Sequence, residues 1–125
     1  MSLETPLHKV QGMGAAHSGT QHFWRQRITA VALVPLSIWF AVSALNLVGA
    51  PGSDVDMFFQ HPMNAALMGI FVVILLYHMV LGLQSVIDDY VHHDGWKILC
   101  LLLNRGFAIV VGVASIIALL RIAIG

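Results

Sequence analysis

Charge is scarce in this chain: of 125 residues, six are Lys or Arg and six are Asp or Glu, 10% in all, against about 25% in an average domain. A water-soluble domain needs a surface that is roughly a quarter to a third charged, and these residues cannot furnish one. Neither sign is in excess, and a formal net charge of zero excludes a strongly basic nucleic-acid binder and a charged, disordered tail. Cysteine is nearly missing too. Cys100, inside an apolar run, stands alone, which excludes a disulfide framework and a Cys-based metal or iron-sulfur site built by this chain. Internal repeats, low-complexity segments and a flavin-binding motif are also lacking, so the chain reads as one unit. What is present is apolar: 58% of positions, with a mean hydropathy of +0.85. The missing solvent is lipid.

Three stretches are long enough to cross it. Residues 28–48 are 21 positions without a charge, roughly 31 Å as helix. Residues 62–87 make a second uncharged stretch, interrupted by one titratable side chain, His78. Residues 98–124 make a third. Its clean part, residues 106–120, is too short alone, so Arg105 is drawn toward the membrane. The sequence therefore predicts an all-α membrane protein with three transmembrane helices. The first run is too long for a signal peptide's apolar region and follows a polar lead. Lys9, Arg25 and Arg27 precede the first span, whereas 49–61 carries Asp54 and Asp56 and no Lys or Arg. The positive-inside rule then puts 1–27 in the cytoplasm, 49–61 in the periplasm, 88–97 in the cytoplasm and the C-terminus outside. Small residues four apart (Ala65 with Gly69, Ala108 with Gly112, Ala114 with Ala118) permit close helix contact. Three helices bury little among themselves, which calls for a partner.

An ionisable residue inside a span is costly and points to function. His78 stands ten residues before Asp88, about 15 Å of helix rise and half the hydrocarbon thickness. Gly82 lies one turn along the same face, where a missing side chain leaves room for a flat macrocycle. Neutral imidazole is a natural axial ligand of haem iron; the other reading is a histidine hydrogen-bonded to a neighbouring helix. Eleven residues separate His78 from Asp89, about 20° past three full turns, so both share a face if the helix continues. Tyr90 follows at the boundary, either as an interfacial anchor or as a donor to the carbonyl of a lipid-soluble head group, with Asp89 tuning it. Arg25 and Arg27 stand at the same edge, where they snorkel to lipid phosphates or meet haem propionates. His92, His93 and Asp94 diverge on a helix and read as solvated loop. His8, His17 and His61 have no constellation around them, and Arg105 carries no assigned role.

The run His78-Met79-Val80-Leu81-Gly82-Leu83-Gln84-Ser85-Val86-Ile87-Asp88-Asp89-Tyr90 resembles the His, the Gly one turn later and the Asp-Tyr that end the second helix of a known family. That family is the smaller hydrophobic membrane-anchor (D-type, cytochrome b) subunit of succinate:quinone oxidoreductase, respiratory complex II. The segment Gly19-Thr20-Gln21-His22-Phe23-Trp24-Arg25-Gln26-Arg27-Ile28-Thr29-Ala30 is similar to its bacterial form, where an Arg-x-Thr-Ala element opens the first helix. The resemblance covers all three spans. It implies half of a haem-binding bundle shared with a C-type cytochrome b anchor subunit, beneath an iron-sulfur subunit and a flavoprotein subunit, in a bacterial inner membrane. It further implies His78 as haem b axial ligand, Gly82 against the haem, Arg27 and Arg25 near its propionates, and Tyr90 with Asp89 at the quinone. FAD and iron-sulfur clusters would belong to the partner subunits, so the chain cannot oxidise succinate itself.

Two functions compete on these residues. One is an electron-transfer anchor that helps pass electrons from succinate to quinone. The other is a non-redox assembly or transport subunit in which His78 is a packing residue or a proton relay. Broken helices with inverted repeats, typical of many transporters, are not written in the chain.

Overall fold

The computed structural model describes residues 14–125, with side chains described from residue 20. His8 and Lys9, and the side chain of His17, lie outside the described residues. Four helices follow one another: α1 (Gly14–Leu47), α2 (Gly52–Gln60), α3 (Pro62–Tyr90) and α4 (Asp94–Ile124), and no strand occurs among the described residues. The long three have 34, 29 and 31 residues, each more than the ~30 Å of hydrocarbon requires. Each contains a window apolar enough to cross a membrane. The apolar stretches of the sequence thus fall in helices longer than themselves, the first stretch ending one residue past α1.

The helix ends follow local chemistry. α1 stops at Leu47 because the chain turns at Gly49, whose φ of +76° is a conformation that side chains rarely adopt. Pro62 sits at the first turn of α3, where its missing N–H is not needed, and the ring Nδ1 of His61 accepts from the Met63 amide at 3.3 Å. His93 does the same for α4, accepting from the Trp96 amide at 3.4 Å. Only residues 91–93 separate α3 from α4, so the solvated loop expected around His92 and His93 shrinks to a tight connection with a capping role for His93. Lys97 and Asp88 close that corner at 3.5 Å, a part-exposed pair that adds little stability.

Residues 49–61, expected as a loop, hold the nine-residue α2. So short a helix is marginal alone. It is held because Val55, Phe58 and Phe59 turn inward at helical spacing while Asp54 and Asp56 stay exposed. Phe58 stacks on Trp39 of α1 with centroids 6.1 Å apart, and its carbonyl accepts from the Asn64 side chain of α3 at 3.0 Å.

α3 is the middle member of the three long helices. It touches α1 on one side and α4 on the other, while α1 and α4 barely meet. Toward α1, Phe71 stacks on Phe40 with centroids 5.0 Å apart. Toward α4, Gly69 lies under Leu119 and Ile116, and a Cβ on Gly112 would stand 3.2 Å from the Leu76 side chain. The small residues expected at helix contacts are therefore used at Gly69 and Gly112. Burial is sparse: Leu33, Phe71 and Leu81 are the buried apolar residues among those described, joined by Asn104. Gly112→Leu should force α3 and α4 apart and destabilise the fold by about 1–3 kcal/mol. Gly106→Leu, where nothing lies within 4 Å, should be near neutral. Thermal unfolding of the two variants in detergent checks the contrast.

Candidate functional site

Polar residues of the first two spans meet along one seam. Residues 22, 26 and 29 of α1 and 78, 82 and 85 of α3 recur at four- and three-residue steps, which places each set on one helix face. The helices are antiparallel, so the sets meet as three rungs. At the outermost, His22 Nε2 lies 2.9 Å from Ser85 Oγ, and the Ser85 hydroxyl donates to the Leu81 carbonyl at 3.2 Å. In the middle, the Gln26 side-chain amide lies over Gly82, 3.7 Å from where a Cβ would stand. At the innermost, Thr29 Oγ1 lies 2.9 Å from His78 Nδ1 and 2.9 Å from the backbone carbonyls of both Arg25 and Gln26.

His78 is thus half-buried and bonded to a neighbouring helix through one ring nitrogen. Among the described residues nothing engages the other. The hydrogen-bonded reading of His78 and the ligand reading are therefore not rivals, because each takes a different nitrogen. No group of three His, Cys, Asp or Glu converges among the described residues, so a metal here would find a single imidazole from this chain. One imidazole does not make a self-contained metal site. The bare face of Gly82 also has the Gln26 amide beside it, on the side of α1.

The remaining expected residues are spread over the same end of the helices. α3 continues unbroken to Tyr90, so the condition for His78 and Asp89 to share a face is met. Tyr90 is 78% exposed and Asp89 is exposed, and no hydrogen bond joins them; the carboxylate with a partner is Asp88. Arg27 lies over the Phe23 ring, 5.0 Å from its centroid. Arg25 points elsewhere, lining with Arg105, Tyr77, Leu81 and Gln84 a groove of about 730 Å³ along α3 and α4 that leaves out His78. The structure therefore parts the two arginines that the sequence groups.

Sequence reasoning passed over Thr29, Gln26, His22 and Ser85 as polar partners, and over Asn104. The signal available was their common spacing opposite His78. Asn104 is 7% exposed; its side-chain N–H donates to the Val80 carbonyl at 3.0 Å, and its Oδ1 is buried without a partner among the described residues.

Comparison with known proteins places these features in context. Residues 1–120 match a family model described as succinate dehydrogenase/fumarate reductase transmembrane subunit. The succinate dehydrogenase hydrophobic membrane anchor subunit of Paracoccus denitrificans is 31% identical, over 97% of this chain and 93% of its own. That of Rickettsia bellii is 34% identical over 88% of each. The succinate dehydrogenase membrane anchor subunit of Reclinomonas americana is 30% identical over 74% of this chain and 79% of its own. No solved structure matches the chain significantly.

Proposed function

The chain belongs to the succinate dehydrogenase/fumarate reductase transmembrane subunit family, and from that premise we propose that it anchors a succinate dehydrogenase in a bacterial inner membrane and helps hold a haem b and a quinone. A C-type cytochrome b anchor would complete the bundle, with iron-sulfur and flavoprotein subunits docked on the cytoplasmic side. The observation that carries this reading is His78: an imidazole inside the second apolar stretch with Nδ1 bonded to Thr29 and Nε2 without a partner among the described residues. An intramembrane polar atom left open is expensive unless a ligand takes it.

Bound there, a haem would supply a one-electron redox centre. The residues of this chain hold and orient. His78 Nε2 would hold the iron from this chain, and the partner anchor would complete the site. Gly82 presents no side chain of its own one turn away. Arg27 and Arg25, at the cytoplasmic edge, offset propionate charge. Tyr90, exposed at the end of α3, donates its hydroxyl to a quinone carbonyl, and Asp89 beside it orients the donor or delivers a proton from the cytoplasm. The orientation rests on charge: Arg25 and Arg27 before the first apolar stretch and Lys97 beside Asp88 lie toward the end shared by Tyr90, whereas α2 at the opposite end carries Asp54 and Asp56 and no Lys or Arg.

Two experiments test the reading in the assembled complex. His78→Leu should abolish or perturb the haem optical spectrum, and an unchanged spectrum and redox potential would overturn the ligand assignment. Tyr90→Phe keeps the ring and deletes one donor worth typically about 1 kcal/mol, so quinone reduction should fall several-fold. Succinate oxidation with an artificial acceptor that draws electrons upstream should persist. Wild-type quinone turnover and KM in Tyr90→Phe would make Tyr90 an interfacial anchor only.

A further inference from the structure

The rung between α1 and α3 sets a proton count that decides what His78 offers. Thr29 has one hydroxyl proton, and its oxygen stands 2.9 Å from three acceptor-capable atoms: the carbonyls of Arg25 and Gln26, three and four residues back, and His78 Nδ1. A helical threonine commonly turns its proton to the carbonyls of the preceding turn. That leaves the lone pairs of Oγ1 facing the ring, and a contact of 2.9 Å between Oγ1 and Nδ1 then needs a proton on Nδ1. A neutral imidazole carries one proton only. If it sits on Nδ1, Nε2 is a bare lone pair.

We propose that Thr29 is the positioning residue of His78: its hydroxyl, tethered to the α1 backbone, accepts from Nδ1–H, fixes the ring's tautomer and plane, and keeps Nε2 free to bind iron. The inference rests on the haem reading above and goes beyond it. A hydrogen-bond acceptor behind a metal-bound imidazole orients the ring and raises its basicity. A more basic ligand stabilises the ferric state relative to the ferrous. Thr29 therefore holds the midpoint potential of the bound haem below the value it would take with an unassisted histidine. The opposite arrangement, with Thr29 donating to Nδ1, would put the ring proton on Nε2 and turn a donor toward the iron, which cannot accept it. The outer rung makes the comparison internal: there Ser85 gives its proton to Leu81 and meets His22 at Nε2, so the same chemistry leaves the Nδ1 of a different histidine open, seven residues nearer the cytoplasmic edge.

The test uses the intact membrane complex, with redox titration of the haem band and haem retained per complex as readouts, neither of which is turnover. Thr29→Val keeps the branched shape and removes the hydroxyl. Its haem should titrate at a more positive potential and be held on the order of 10-fold more weakly or worse. Thr29→Ser should restore both. Should the valine variant not assemble, Thr29→Ser and Thr29→Ala differ by a hydroxyl alone and give the same comparison. Ser85→Ala removes an inter-helix bond of the same length between the same helices and should leave the potential where it was. The proposal is overturned if the hydroxyl-free Thr29 variants titrate and retain haem as wild type while His78→Leu loses it, or if Ser85→Ala gives an equal shift, which would reduce Thr29 to helix docking. A His78→Leu complex with wild-type haem would instead remove the haem reading itself.

Discussion

Hydrocarbon offers no hydrogen bonds, so each polar group carried into it must be met by another group of the protein. In α1 and α3 that demand is met side by side by Thr29 with His78 and by His22 with Ser85. Apolar contact alone would not fix which faces of two lipid-solvated helices meet, because lipid tails are as apolar as leucine. The rungs do, and they set the rotation of α3 about its axis. With that rotation set, Phe71 reaches Phe40 on the same side, and Leu76 and Val80 turn to α4, where Gly112 and Asn104 receive them.

Reading by apolarity recovered the spans because lipid imposes one simple rule, the exclusion of charge. It marked apolar runs rather than helix ends, which is why α1 is already helical at Gly14, well before residue 28, and why α3 runs on through Asp88 to Tyr90. α2 escaped notice for a related cause: nine residues with two aspartates look like loop until Trp39 and Asn64 supply the contacts that hold them. His78 was legible because a titratable group in an uncharged run stands out. Its partner was not. A threonine in a span satisfies its own hydroxyl on the preceding turn, and nothing in its neighbourhood shows that it also faces an imidazole 49 residues on. Gly82 was noticed for its lack of a side chain, yet the neighbour that exploits the gap, Gln26, lies on another helix and leaves no local mark. Asn104 was hidden beside the more conspicuous Arg105.

The site is uneven in how far this chain determines it. The imidazole is fixed at one nitrogen and open at the other, a half-specified centre that suits a group shared between two chains. The edge residues are freer: Tyr90 is largely exposed, and Arg25 and Arg27 lie on different surfaces. Rigid support of His78 and loose presentation of Tyr90 are what the proposed reading asks of a resident redox group and of a substrate that must come and go.

Because α3 stands between α1 and α4, the chain has two broad flanks and almost no interior. A protein of that shape draws little stability from its own interior: whatever binds those flanks adds to it, and the gain grows with the concentration of that binder. Molecules made in excess of their binder spend more time open, where membrane proteases act on them. Abundance is then matched to that of the binder after synthesis, by loss of the surplus, with no need for the genes to be expressed in strict proportion.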